Sequence, residues 1–140
     1  KDKPWCDSSH KVITQPLQSL IKAQETCQEI LPFAPAKEVA IQIRERLVQL
    51  RVADNESIVG LKIGGALESP ENPNGVMIFG YLTDVMKVEN SINSKAYIYP
   101  RAEAEVVFKL SKEISVPITI DEVLDYVSHV SVGMEIFDYR

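Results

Sequence analysis

The sequence contains no apolar run near the roughly 20 residues needed to cross a bilayer as a helix, which excludes a membrane-spanning helical segment. It contains no internal repeat and no low-complexity tract, so repeat architectures are excluded as well. Basic stripes are missing too. With a net charge of -5 and nothing to offset it locally, a nucleic-acid partner is not expected. Cysteine is scarce: Cys6 and Cys27 match no metal-binding spacing. The pair could form a disulfide in an oxidising compartment and would stay as thiols in a reducing one, so the disulfide is left open. An initiator Met is also absent, Lys1 standing first, which leaves a processed extracytoplasmic protein or a trimmed chain open. What is present is ordinary for a globular protein: 140 residues, 45% hydrophobic and 25% charged, within the size of one domain with a core. Residues 1–56 carry as many Lys and Arg as Asp and Glu, so the whole negative surplus lies in 57–140. That surplus is either a solvated acidic face or a set of carboxylates gathered around a cation.

Apolar side chains at Ile13, Leu17, Leu20, Ile21, Cys27, Ile30 and Leu31 recur near a 3.6-residue period and predict an amphipathic helix over 12–31. Pro16 fits such a helix only in its first turn. After Pro32 and Pro35 a second helix is expected over 36–53, with Val39, Ile43, Leu47 and Leu50 on one face. Beyond Asn55 the pattern shortens to runs broken by Gly, Pro and Asn. Strands are expected at 57–63, 76–79 and 81–86, with loops at 66–75 and 87–96. The clearest strand is 101–110, with Ala102, Ala104, Val106, Phe108 and Leu110 on one face and Arg101, Glu103, Glu105 and Val107 on the other. Thr119 and Glu122 form a capping-box pattern before a short helix carrying Val123, Leu124 and Val127, and the alternation of 129–136 predicts a final strand. Helices first and strands afterwards favour an α+β fold. The expected division is 1–56, a helical segment, and 57–140, the first part of a β-rich domain.

Glu103 and Glu105 leave the same strand face, roughly 6.5–7 Å apart at the backbone. By itself, Glu-x-Glu is the ordinary dress of a solvated face. Glu135 lies on the polar side of another expected strand, and a third carboxylate facing the first two would make an all-oxygen site for a hard cation, Mg²⁺ or Mn²⁺. Zn²⁺ is disfavoured because no Cys or His stands near these positions at ligand spacing, His10 reading as a tail residue and His129 as a surface or packing one. Lys62 sits in GLKIGG (60–65), at a strand end beside glycines; that segment lacks the spacing of a P-loop or a dinucleotide fingerprint.

Four blocks, in order, resemble the hydratase/decarboxylase branch of the fumarylacetoacetate hydrolase superfamily. IVGLKIG (58–64) is similar to that family's VVG-x-KIG, and IFGYLTDVM (78–86) to VYGFLTDYM. YPRAEAEVVFKL (99–110) is similar to PRVEAEIAFVL, and VGMEIFDYR (132–140) to VPALEIIDSR. The resemblance implies Mg²⁺ or Mn²⁺ held by Glu103, Glu105 and Glu135, with Lys62 serving the substrate by holding its carboxylate or shuttling a proton. It implies a lyase of aromatic catabolism acting on 2-keto acids through a metal-stabilised enolate. The reaction is either decarboxylation of 2-oxo-3-hexenedioate or hydration of 2-hydroxypenta-2,4-dienoate. It also implies a cytoplasmic setting and a fumarylacetoacetase C-terminal-like domain that continues past the third glutamate. A homo-oligomer or a second chain completing the fold is therefore expected.

The chain departs from the family pattern at three places. Ile78 stands where many hydratases carry Asp, Gly65-Ala66-Leu67 replaces Leu-Thr-Ser, and Asp138-Tyr139-Arg140 replaces Asp-Ser-Arg. The alternative to an enzyme is a non-catalytic homologue or fragment kept for binding or structure.

Overall fold

In a computed structural model the protein is described over residues 8–65 and 77–139. The expected loop at 66–75 and the possible partner Cys6 therefore lie outside the described residues, as does the side chain of His10. Two compact units are formed, 1–93 and 94–140. Helices precede strands, in agreement with the α+β expectation. No described helix is long and apolar enough to cross a membrane.

The first unit begins with helix α1 (Ser8–Thr26) and helix α2 (Lys37–Ala53). α1 starts earlier and stops sooner than its apolar period suggests. Pro16 lies inside it, not in the first turn, so the helix runs on past a position that has no N–H to give to the Val12 carbonyl. It stops because Cys27 takes a left-handed backbone conformation with φ 50°, which leaves Ile30 and Leu31 outside any helix despite their phase. The buried residues Leu17 and Ala23 of α1, and Ile43 and Val48 of α2, form the unit's core. Arg51 of α2 also donates to Gln24 of α1 at 2.9 Å.

Strands β1 (Ile58–Gly64) and β2 (Ile78–Thr83) pair antiparallel. The two short strands expected at 76–79 and 81–86 are in fact one strand followed by a 3₁₀ turn, Asp84–Met86. Gly80 does not break the strand, because extended backbone accepts glycine at only a modest cost. α2 lies over Phe79 and Tyr81. The Arg44 guanidinium stacks 3.7 Å from the Phe79 ring centroid and donates to the Phe79 carbonyl at 3.2 Å. The Tyr81 hydroxyl donates to the Glu45 carboxylate at 3.1 Å. Desolvation first, and then that carboxylate, raise the Tyr81 pKa, while nearby Arg44 opposes the shift.

The second unit is built on a long antiparallel pair, β3 (Tyr99–Leu110) with β4 (Val127–Tyr139). Between them a 3₁₀ helix, Ile120–Tyr126, replaces the expected short helix, and Val127 already belongs to β4. Its start is the expected capping box: Glu122 accepts the Thr119 N–H at 2.7 Å and the Thr119 hydroxyl at 2.8 Å.

Candidate metal centre

The register of β3 with β4 decides which side chains meet. Glu103 pairs directly with Glu135, Glu105 with Gly133, and Val107 with Ser131. Directly paired residues of an antiparallel ladder share a face, so all three glutamates stand on one side of the sheet. Ala102, Ala104, Val106 and Phe108 stand on the other, paired with Ile136, Met134, Val132 and Val130.

One carboxylate oxygen from each of Glu103, Glu105 and Glu135 lies within 4.8 Å of the other two. Glu103 is exposed, and Glu105 and Glu135 are half-buried. At the outer end of that separation two unit charges repel by about 1 kcal/mol in water and by roughly 3–4 kcal/mol near a protein surface. A divalent cation between them converts that repulsion into attraction. The donor set, carboxylate oxygens alone, suits a hard cation and offers Zn²⁺ none of its preferred nitrogen or sulfur ligands.

Gly133, which no motif in the sequence singles out, also shapes this arrangement. A Cβ placed on it would come 2.7 Å from Cγ2 of Val107, so the missing side chain opposite Glu105 is what lets Val107 lean across the strands. The signal in the sequence was a lone glycine two residues before Glu135 in a strand otherwise rich in Val, Met and Ile. Asp138 likewise has a structural task. Its carboxylate accepts the backbone N–H groups of Ile98 at 2.9 Å and Tyr99 at 2.7 Å, tying the entry of β3 to the end of β4.

Lys62 belongs to the first unit, half-buried on β1 and paired with Gly80 of β2. Gly60 and Gly64 flank it on the same face, away from Phe79 and Tyr81. Ile78 pairs with Gly64. His129 is exposed on β4, with its Nδ1 3.1 Å from the Ser128 hydroxyl, and has no place in the acid cluster.

No family model matches the chain. It is similar to 2-hydroxyhexa-2,4-dienoate hydratase of Comamonas testosteroni, 34% identical over 135 residues covering 88% of this chain and 51% of that protein. With 2-hydroxypent-2,4-dienoate hydratase of Pseudomonas putida it is 38% identical, covering 77% of this chain and 51% of the relative. With 4-oxalocrotonate decarboxylase of a Pseudomonas species the identity is 34%, covering 72% and 41% respectively. The chain thus spans about half the length of the curated relatives it matches first. Among solved structures, 4-oxalocrotonate decarboxylase from Pseudomonas putida G7, complexed with magnesium and adipate, superposes with a TM-score of 0.80 at 19% identity. The match covers 96% of this chain and 55% of that one, and it shows a common fold.

Proposed function

We propose that this chain, which matches part of the 2-hydroxydienoate hydratase and 4-oxalocrotonate decarboxylase branch, serves a divalent-metal-dependent lyase acting on 2-keto acids. The observation that carries the proposal is the convergence of Glu103, Glu105 and Glu135 within one-ion distance on a single sheet face. These three residues are assigned as ligands of Mg²⁺ or Mn²⁺, Mg²⁺ being the ion named with the solved relative. A cation held there supplies Lewis acidity toward the carboxylate and 2-oxo oxygen of a keto acid.

The chain's own groups are assigned as follows. Half-burial of Glu105 and Glu135 keeps part of the water away and strengthens their hold on charge. Gly133 leaves the space opposite Glu105 clear of its own side chain. Lys62, in the block that resembles VVG-x-KIG, is assigned to the substrate, either holding its carboxylate or carrying a proton. For domain organisation we assign 1–56 to a helical segment and 57–140 to the first part of the β-rich catalytic domain. Further strands or a second chain would complete that domain.

The reaction is decarboxylation of 2-oxo-3-hexenedioate or hydration of 2-hydroxypenta-2,4-dienoate. Ile78 favours the first, or a weak form of the second, since an aliphatic side chain has no proton to exchange with water or a double bond. The test is to assay the natural full-length protein, supplied with Mg²⁺, for CO₂ release from the first substrate and for loss of the second, alongside Lys62→Met. CO₂ release that falls by roughly a hundredfold or more in the variant, with Mg²⁺ affinity kept, is expected. Fast hydration without CO₂ would reverse the preference, and full turnover by Lys62→Met would remove Lys62 from the site.

A further inference from the structure

Which face of the β1–β2 pair Lys62 occupies depends on register, and the usual determinants of register are weak here. A one-residue slip would carry Lys62 to the opposite face, the one shared by Leu61, Ile63, Phe79 and Tyr81. In a tight hairpin the turn prevents this, but the connection between these strands runs over 65–77 and is too long to dictate pairing. Nor does the apolar pattern dictate it. Lys62's face carries Gly60, Gly64 and Gly80 with Ile78 and Leu82, and Leu61 and Ile63 on the other face are 54% and 53% exposed. Strands of that kind, glycine-rich and half-covered, are the ones prone to slip.

The opposite end of the pair is tied in detail. The Thr83 hydroxyl donates to the Glu56 carboxylate. Glu56 also accepts two hydrogen bonds from Arg51 Nη1, both 3.1 Å, at the end of α2. One residue further on, Ser57 and Asp84 bond twice: the Asp84 N–H donates to the Ser57 carbonyl and the Ser57 N–H to Asp84 Oδ1, both at 3.0 Å. Asp84 Oδ1 also accepts the Val85 N–H at 3.0 Å, which fixes the carboxylate as the 3₁₀ turn begins. Thr83, 1% exposed, is buried at this junction. Just beyond it the ladder steps from Ile58–Thr83 to Gly60–Leu82, leaving Val59 as a bulge, and pairing is regular from there to Gly64.

We propose that Glu56, Thr83 and Asp84 are positioning residues forming a register clamp. By fixing Ile58 against Thr83 and placing the single bulge at Val59, they set Lys62 opposite Gly80. None of the three touches the substrate in this proposal; they act through Lys62. The proposal deepens the functional reading above and rests on it only for the consequence for turnover, since register can be read without substrate.

The test is the double variant Thr83→Val with Asp84→Ala in the natural full-length protein, beside Thr83→Ser, which keeps the hydroxyl. Cross-strand NOEs between Lys62 and Gly80 report register, and kcat, KM and Mn²⁺ affinity report the consequence. Expected is loss of the Lys62–Gly80 contacts in the double variant, with kcat lower by about a hundredfold, the order that misplacing a reacting group costs. KM should rise if Lys62 holds the substrate carboxylate and stay level if it carries a proton; Mn²⁺ affinity should change little in either case, and Thr83→Ser should behave as the parent. Retention of the Lys62–Gly80 contacts by the double variant would overturn the clamp. Altered register with unchanged kcat would uphold the clamp and instead defeat the role given to Lys62. Should the double variant not fold, hydrogen exchange in the parent decides. Ser57 and Asp84 amides protected more than their neighbours support the clamp, and exchange as fast as at a frayed strand end overturns it.

Discussion

At the scale of single residues, the faces on which the carboxylates stand were the legible part. Glu103 and Glu105 announce a shared face through the two-residue period, and Glu135 falls on the polar side of its own strand by the same rule. Their meeting is a matter of register, which no local pattern contains; the structure supplies it by pairing Glu103 with Glu135. Gly133 and Val107 were not legible for the same reason, because a glycine's role lies in what the neighbouring strand puts into the vacated space. That role is testable. In Gly133→Ala the new Cβ meets Val107 Cγ2 at 2.7 Å, and valine's stiff χ1 leaves it little room to yield. Urea unfolding of Gly133→Ala should show a loss of about 1–3 kcal/mol, as overpacking does. Adding Val107→Ala should return most of it, because contacting residues are not additive. Equal losses in the single and double variants would mean that the contact is not the cause.

At the scale of elements, α2 and the strands of the second unit follow their patterns closely, whereas α1 and the 3₁₀ turn at Asp84–Met86 do not. In both failures a backbone effect outweighed the apolar period. A left-handed Cys27 ends α1 while hydrophobic residues continue in phase, and Asp84 accepts its neighbours' N–H groups and turns the chain. The capping box of the Ile120–Tyr126 helix forms as its Thr-x-x-Glu pattern predicts, and it carries a pH dependence. Hydrogen bonds from the Thr119 backbone N–H, and then from its hydroxyl, hold the Glu122 pKa below the usual carboxylate value. A depressed folded-state pKa means that the cap contributes fully above the unfolded carboxylate pKa of about 4.3 and is lost as pH falls through the lower folded value. The Thr119 amide resonance should therefore titrate with a midpoint below that of a free glutamate and stay nearly constant in Glu122→Gln. A Thr119 shift that moves identically in both proteins would contradict the cap.

At the scale of the whole molecule, the second unit has two unlike faces. One carries the three glutamates; the other exposes Val106, Phe108, Val130, Val132 and Met134, the last two by 85% and 71%. A contiguous apolar face of this kind is the sort that protein–protein contacts use, and the relatives matched first are about twice as long as this chain. An occupant of that face is not legible in these residues, since an alternating apolar pattern records a face and not what meets it. The acid cluster is complete within one hairpin, so it can be examined directly. The measurement is calorimetric titration of Mn²⁺ into the natural full-length protein and into Glu103→Gln, Glu105→Gln and Glu135→Gln, with melting followed in parallel. Saturable binding is expected in the parent, with a melting temperature that rises with Mn²⁺ by mass action. Each variant should lose affinity by about tenfold or more, since even outer partners of metal ligands cost that much. Affinities unchanged in all three variants would show that the glutamates are a solvated acidic face and that no ion is held there.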